Sequence, residues 1–223
     1  MYRSLLTPWH EASGAVWEHC LDSELVAYYD KPQEFLTDSS TDLALIDISP
    51  MPRVGIKGRE PERWLHIQRY VIDEALNKAY LQEDGSLIAR LADNELLWLS
   101  GVRTPVRSAE VSRSNARCYS LPRQDSHVEF MIVGRLSAEM MAKLCGVDLS
   151  PQVFDNLDIA QTSAARVSAI IIRADVAMIP AYRILVDSAS DRYFWHCLMD
   201  AMGEFNGCVV GSHALRDFGN RNT

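Results

Sequence analysis

Two short stretches follow one pattern and decide the fold: Ile56-Lys57-Gly58-Arg59 and, 76 residues later, Ile132-Val133-Gly134-Arg135. In each stretch a predicted strand ends at the glycine. Bulky pairs then follow at the same distance, Trp64-Leu65 in the first case and Met140-Met141 in the second, and there we predict a helix. Two further predicted strands come after each helix. The pattern indicates a duplicated strand–helix–strand–strand unit, because this period is too long for a solenoid repeat.

A duplicated unit of this kind predicts a single α+β domain spanning residues 1–223, with antiparallel sheets and helices on their faces. Its halves are expected at about 1–100 and 124–223. Residues 101–123 are interpreted as the connector, since they hold five arginines but one acid, Glu110. Such a segment is either a solvated loop or a basic arm that docks on an acidic partner, and the sequence leaves both open.

Apolar spacing predicts several elements within the halves. One helix begins at Thr7-Pro8, where a hydroxyl precedes a proline, and continues along Trp9, Val16, Trp17, Cys20 and Leu21. A second helix begins near Pro61 and buries Trp64, Ile67, Val71 and Ala75. A hairpin is expected over residues 87–99. A last helix follows Ser188 and carries on its apolar face Phe194, Trp195, Leu198 and Met202.

Composition narrows the classes of function. The chain has 223 residues, 48% of them hydrophobic, and a formal net charge of −8. It can bury a core, so it is not a disordered chain, and its acidic balance argues against nucleic acid and anionic membranes as partners. Five cysteines at scattered spacings predict free thiols rather than a disulfide framework. No signal peptide or membrane span is recognised, so we expect a cytoplasmic protein.

Common catalytic and metal-binding motifs are absent from the sequence. It contains no phosphate-binding loop, no dinucleotide fingerprint, no H-E-x-x-H pair and no G-x-S-x-G elbow. Asp125-Ser126-His127 holds the three residue types of a catalytic triad. Adjacent strand residues point to opposite faces, however, so we do not expect these three to act together. None of the six histidines has the spacing of a helical metal pair, and no metal site is predicted.

Several segments resemble, in unbroken order, the glycine-cleavage T-protein (aminomethyltransferase) superfamily. In the first half these are residues 43–53 (LALIDISPMPR), Ile56-Lys57-Gly58 with Trp64-Leu65, and residues 91–99 (LADNELLWL). Near the end, residues 211–217 (GSHALRD) are similar to the superfamily's GLGARD stretch. The second half resembles more closely the gamma subunit of heterotetrameric sarcosine oxidase, through Ser126-His127, Val133-Gly134, residues 145–149, Phe154, residues 160–162, 182–186 and 188–191, Phe194-Trp195 and residues 198–201.

The resemblance implies a T-protein-like folate-binding fold, with two related halves around a central pocket and tetrahydrofolate as a possible cofactor. Three features depart from the superfamily pattern. Residues 178–183 (MIPAYR) replace an acidic GEDGFE run, so Arg183 stands where a carboxylate would hold the pterin. A pterin edge offers paired N–H donors, which a carboxylate accepts and an arginine, having donors alone, does not. Residues 100–103 replace the segment that supplies the catalytic aspartate, and no C-terminal barrel follows Arg216-Asp217.

These departures favour a gamma-like subunit without catalytic residues of its own. Its expected partners are the larger flavoprotein subunits of a sarcosine oxidase-type demethylating enzyme. The alternative is a stand-alone tetrahydrofolate-dependent aminomethyl- or methyl-transferase with a rearranged pocket. In that pocket the candidate contacts would be Met51, Arg53, Tyr182 and Arg216. The two arginines would grip the glutamate tail, and Tyr182 would pack on the pterin or aminobenzoyl ring. The same four residues are equally compatible with core and surface roles, and an assembly protein that uses the pocket otherwise stays open.

Overall fold

The structure is a computed structural model that describes residues 1–30, 42–67, 69–103, 105 and 118–215. The helices are α1 (Thr7–Ala12), α2 (Pro61–Ile67), α3 (Ser137–Met141) and α4 (Asp191–Gly203), and a 3₁₀ turn at Ser188–Ser190 precedes α4. The strands are β1 (Ala15–Cys20), β2 (Ser23–Tyr29), β3 (Ala44–Asp47), β4 (Arg53–Gly58), β5 (Lys78–Leu81), β6 (Leu87–Ala92), β7 (Glu95–Leu99), β8 (Cys118–Pro122), β9 (His127–Val133), β10 (Ile159–Ala164), β11 (Val167–Arg173), β12 (Ala181–Asp187) and β13 (Cys208–Val209).

A five-stranded sheet and a six-stranded sheet form the centre of the molecule. One has the strand order β5-β6-β7-β4-β8 and the other the order β10-β11-β12-β9-β3-β13. Neighbouring strands are antiparallel, apart from the parallel pair β13–β3. The predicted α+β fold is confirmed.

The two sheets exchange one strand. β3 directly precedes β4 in the chain but pairs with β9, whereas β8 directly precedes β9 but pairs with β4. Apart from β13, the two sheet orders correspond strand for strand. The exchange ties the sheets together, because each one is completed by a segment that leads into the other.

The sheets pack face to face. Leu87, Leu97 and Leu99 of the first sheet form one buried cluster with Ile172 and Leu185 of the second. On the outer face of the first sheet, α2 covers a second cluster that includes Ile56, Trp98 and Trp64. On the outer face of the second sheet, α1, α3 and α4 cover the largest cluster. Since side chains alternate along a strand, each β-residue faces either the other sheet or the helices.

A buried polar cluster fastens α1 to β3. His10 Nε2 lies 2.9 Å from Asp47 Oδ2, and His10 Nδ1 lies 2.8 Å from the Tyr29 hydroxyl. Ser4 Oγ also donates to Asp47. Burial alone would raise the pKa of Asp47, but hydrogen bonds from His10, Ser4 and Ser49 hold that pKa below its usual range. Asp47 is therefore ionised in the folded protein at neutral pH.

The predicted helix at the start of the chain is wrong beyond its first turns. α1 ends at Ala12, and the residues expected to continue it form strand β1 instead. Gly14, with φ 82°, terminates the helix. In the β1–β2 hairpin Val16 and Trp17 pair across to Tyr28 and Val26, an environment that suits β-branched and aromatic residues.

The second predicted helix is shorter than expected. α2 begins at Pro61 and buries Trp64 as predicted, but it ends at Ile67. Ile67 and Val71, placed on the buried stripe by the sequence, are 71% and 56% exposed. Arg69 has a φ of 67°, which α-helical geometry does not allow. The hairpin β6–β7 and the apolar face of α4, by contrast, are confirmed.

Part of the predicted connector, residues 101–123, belongs to a sheet. Its last residues form strand β8, which completes the first sheet. Arg103 is exposed, Arg123 contacts Glu95, and Arg107, Arg113 and Arg117 lie outside the described residues. All five cysteines are free thiols, four of them buried. In the described ranges no helix is long and apolar enough to cross a membrane.

Candidate functional site

A cavity of about 470 Å³ lies between the two sheets, within the range of about 300–1,000 Å³ typical of small-molecule sites. Its wall is largely apolar and includes Leu81, Leu87, Met131, Leu157 and Val176. Among these lining residues Met131 and Leu87 are buried, whereas Leu81 and Arg103 are exposed where the cavity opens to solvent. The cavity is the central pocket that the fold prediction anticipated.

Arg183 supplies a cationic group to the closed end of this cavity. Its side chain projects from β12 beside Met131, its partner in the strand register, and the residue is 1% exposed. Nε donates to Glu129 Oε1 at 2.6 Å and Nη1 donates to the Ser100 carbonyl at 3.0 Å. The remaining nitrogen, Nη2, is buried and has no hydrogen-bond partner within the described ranges.

Glu129 lies between two arginines. One carboxylate oxygen accepts from Arg183, and the other lies 3.4 Å from Nη1 of Arg53. The Glu129 and Arg53 side chains are fully buried. Both guanidinium groups stay protonated in proteins; the Glu129 carboxylate lies between them, and the Asp47 carboxylate is a second negative charge that acts on Arg53. The Glu129 side chain has no exposed surface and is not among the residues that line the cavity, so it is not presented to a ligand.

Arg53 is a structural clamp rather than a ligand-binding residue. Besides Glu129, its guanidinium donates to carbonyls on both sides of the strand exchange. These are Ser49 and Met51 before β4, and Arg123, Gln124 and His127 around the start of β9. Burial lowers the pKa of this guanidinium and the Glu129 charge raises it. With this many carbonyl partners, Arg53 has no donor left for a folate tail.

The other predicted site residues are not brought together. Met51 is 1% exposed and packs in the core, with its sulfur 3.8 Å from the Cys20 thiol. Tyr182 lies on the outer face of the second sheet, and its hydroxyl donates to the Leu149 carbonyl at 2.5 Å. Neither residue lines the cavity. Arg216 lies outside the described residues.

Strand parity explains why Arg183 lines the cavity and Tyr182 does not. Adjacent residues of β12 point to opposite faces, so Tyr182 packs under the helices while Arg183 enters the cavity wall. Sequence reasoning missed Glu129 as a site residue. A signal for it existed, because a glutamate inside the apolar strand β9 must find a charged partner when it is buried.

Asp175 is the acidic residue of the cavity wall within the described ranges, and it too is paired. Its two carboxylate oxygens accept from Nε and Nη2 of Arg173, at 2.9 and 2.7 Å. This is a bidentate arginine–carboxylate pair, the strongest common form. The hydrogen bond and charge of Asp175 raise the pKa of Arg173. The negative charge of Asp175 is therefore neutralised within the wall.

The tight turn Ala177-Met178 forms part of the cavity mouth. Val176 and Ile179 exchange backbone hydrogen bonds of 3.0 and 2.9 Å around it. Ala177 and Met178 have φ values of 50° and 68°, which are the left-handed values of a type I′ turn and favour Asn-Gly. The Met178 side chain is 91% exposed. A strained turn therefore presents a large apolar side chain to solvent.

A pterin does not fit the closed end of the cavity. Its donor edge requires a carboxylate acceptor, but Glu129 is engaged by two arginines and Asp175 by a third. The other charged residues of this wall, Arg103 and Arg183, carry only hydrogen-bond donors. Donor groups would oppose donor groups, so the residues present do not fit tetrahydrofolate held by its pterin ring.

Ser126 and His127 form a side-chain hydrogen bond that strand alternation did not predict. Ser126 lies in the turn before β9, so its hydroxyl is 2.8 Å from His127 Nδ1 although the two are neighbours. His127 lines a separate cavity of about 180 Å³. Burial, followed by the charges of Arg123 and Arg53, lowers the pKa of His127. No contact with the Asp125 carboxylate accompanies this pair in the described ranges, and it lies apart from the central cavity.

Comparisons with known proteins agree with this architecture. A family model described as GCVT N-terminal domain matches residues 6–218. The fold is similar to a chain of the heterotetrameric sarcosine oxidase from Corynebacterium sp. U-96 in complex with pyrrole 2-carboxylate, at 17% identity and a TM-score of 0.64 over 76% of this chain and 88% of that one. It is also similar to glycine cleavage system aminomethyltransferase T from Bartonella henselae, at 14% identity and a TM-score of 0.73. That match covers 98% of this chain but 62% of the longer one. A comparison with curated proteins finds no significant match.

Proposed function

The chain belongs to the GCVT N-terminal domain family, and we propose that it is a small gamma-like subunit of a heteromeric, sarcosine oxidase-type demethylating enzyme. In this role it has no catalytic site of its own. Flavin chemistry and substrate turnover reside in larger partner subunits. The five free thiols support a cytoplasmic location, where thiols stay reduced.

The single observation that carries the proposal is the state of Glu129. A folate-dependent transferase of this fold needs an acidic anchor in its pocket, and here the buried carboxylate bridges Arg53 and Arg183. A cavity of about 470 Å³ is present, but within the described ranges the one carboxylate in its wall, that of Asp175, is paired with Arg173. A subunit that serves in assembly would keep the fold but would not need the carboxylate that holds the pterin.

Two further observations support membership of a complex. The match to the heterotetrameric sarcosine oxidase covers 88% of that chain, so this protein is similar to almost the full length of one of its components. Large apolar side chains also lie exposed where they could contact a partner: Leu81 and Met178, at 58% and 91%, flank the cavity mouth. Exposed apolar residues clustered around an opening are typical of interaction surfaces.

The proposal is tested by isolating an affinity-tagged copy of the chain from its native source. Native mass spectrometry of the eluate is expected to show an assembly with larger chains, and its absorbance spectrum to show a bound flavin. An unrelated tagged protein of similar size serves as the control for non-specific capture. A monomer without flavin would contradict the subunit role. A monomer that turns over tetrahydrofolate would instead support the stand-alone transferase.

A further inference from the structure

We propose that the outer edge of strand β8 is a docking site for an extended, uncharged segment of a larger partner subunit. The segment adds to the first sheet as a further strand, parallel to β8. Backbone hydrogen bonds along an open strand edge are a common way of binding a partner chain. This docking site rests on the subunit role proposed above and names the surface through which the partner binds.

Two corresponding edges of the sheets differ in what covers them. β8 and β3 hold the same place in the two sheet orders, and each pairs antiparallel with the strand that leads to the glycine of its repeat. On its other side β3 pairs with the parallel strand β13. β8 is the last strand of its sheet within the described ranges. The second sheet therefore shows which kind of segment covers this edge.

The two edges also agree in register. When β4 and β9 are aligned at the glycines of the repeat, residues 119–120 of β8 correspond to residues 44–45 of β3. β13 pairs with residues 44–45 through both of its own residues, and the Leu45 carbonyl accepts from Val210 N at 2.9 Å. A strand added to β8 would therefore lie opposite residues 119–120 and bond to the backbone of Ser120.

The backbone groups of Ser120 point outward. Gly58 N donates to the Asn94 carbonyl at 3.0 Å, so alternate residues of β4, Ile56 among them, direct their backbone groups toward β7 and away from β8. Ser120 lies opposite Ile56, so its own N–H and carbonyl point away from β4. Within the described ranges neither group has a hydrogen-bond partner, and Ser120 is half-buried rather than enclosed.

The chemistry of the edge indicates an uncharged partner segment. Edge strands commonly carry charged side chains that discourage strand addition, but β8 (CYSLP) has none. The neighbouring Lys57 and Arg123 are both paired with Glu95. An uncharged segment complements such an edge. β13 is a segment of this kind, and its Cys208 and Val209 are 3% and 1% exposed.

The orientation of β13 favours a different chain over a second copy of this one. β13 covers its edge by running parallel to β3. In a two-fold symmetric dimer that continues the first sheet, two β8 strands would instead run antiparallel. The occupant is therefore assigned to a partner subunit, and pairing between copies would show itself as protection that depends on the concentration of the isolated chain.

Amide hydrogen exchange at single-residue resolution tests the edge. In the isolated chain the Ser120 amide should be at least roughly ten-fold less protected than the amides of Tyr119 and Leu121, which bond to β4. In the assembly isolated from the native source through a tagged copy, protection of the Ser120 amide should rise at least roughly ten-fold. A Ser120 amide already protected in the isolated chain, or protected only as that chain is concentrated, would overturn the proposal.

Ser120→Pro tests the same edge by capture of the partner. The change removes an N–H that faces outward, where an edge strand tolerates proline, and leaves the bonds of Tyr119 and Leu121 to β4 in place. Ser120→Pro should capture at least roughly ten-fold less partner than the wild type. The matched control Ser120→Ala, which keeps the N–H, should capture the same amount.

The outcomes separate the docking site from the subunit role. An assembly that forms equally well with Ser120→Pro, or that leaves the Ser120 amide of the wild type unprotected, would overturn the docking site and leave the subunit role intact. If no assembly forms with the wild type, the subunit role is contradicted and the docking site with it. Should Ser120→Pro fail to fold, the exchange of the wild-type Ser120 amide in the assembly decides.

Discussion

Arg53 and Glu129 occupy corresponding positions on β4 and β9, five residues before Gly58 and Gly134, and their side chains meet in a buried ion pair. The positions related by the repeat thus contact each other where the two sheets exchange strands. The arginine on one strand and the glutamate on the other make the contact attractive. Identical residues would have placed like charges together at this point. The two corresponding positions therefore carry opposite charges where they touch.

Glu129→Gln should strongly destabilise the protein. The change removes the carboxylate that neutralises Arg53 and Arg183, and breaking a buried ion pair by removing one partner costs about 3–5 kcal/mol. Urea unfolding followed by tryptophan fluorescence measures the loss. Glu139→Gln, on the exposed side of α3, is the matched control and should change stability by less than about 0.5 kcal/mol. A loss below about 1 kcal/mol in Glu129→Gln would show that the cluster is not structural.

The Asp47 carboxylate should make stability fall in acid. Its pKa is lowered in the folded state, so its stabilisation is present above the unfolded value of about 3.9 and is lost as pH falls through the folded pKa. Asp47→Asn should be less stable at pH 7 by about 1–3 kcal/mol and should lose less stability between pH 5 and pH 3. Unfolding midpoints across this range measure both effects. Parallel pH profiles for the two proteins would contradict the account.

His127 should contribute a second pH dependence, at higher pH. Its pKa is lowered in the fold, so the unfolded chain binds a proton first as pH falls below about 6.5. Stability therefore rises with pH between the folded pKa and about 6.5. His127→Asn should flatten this part of the curve, and His19→Asn, whose imidazole is 73% exposed, should not. A wild-type curve already flat between pH 5 and 7 would argue against the lowered pKa.

Relieving the turn at the cavity mouth should stabilise the chain. Ala177→Asn with Met178→Gly supplies residues that adopt the observed positive φ values easily. The left-handed region costs other residues about 1–2 kcal/mol each, and the greater freedom of glycine in the unfolded chain offsets part of the gain. Thermal unfolding is the measurement. The matched comparison is Ala165→Asn with Arg166→Gly, in the β10–β11 hairpin, where φ values of 46° and 65° are similar. If neither pair raises the melting temperature, the turns are not strained.

The sequence predicted those parts of the fold that local pattern controls. Strand β9, predicted to end at Gly134, and the hairpin β6–β7 lie close to where the sequence placed them. The strand exchange was not predictable, because the sequence of β3 does not indicate that it pairs with β9 rather than with the next strand, β4. Non-local pairing is set by the packing of the whole sheet.

For the candidate site, the sequence predicted one change of residue type but not which side chains line the cavity. The departure at Arg183 is readable from the sequence, since arginine stands in place of an acid. Tyr182 faces the helices. Strand alternation places Tyr182 and Arg183 on opposite faces of the sheet, but the sequence does not show which of these faces packs against the helices. That Arg53 is saturated by carbonyls depends on the loops before β4 and β9, whose positions follow from the exchange.

The most direct test of the central claim is a calorimetric titration of the purified chain with 6-methyltetrahydropterin, the ring of the reduced folate without its tail. Because Glu129 is held by Arg53 and Arg183, the account predicts no saturable heat at millimolar ligand. One-to-one saturable binding by the wild-type chain would contradict it, since that result would show an available anchor for the pterin ring.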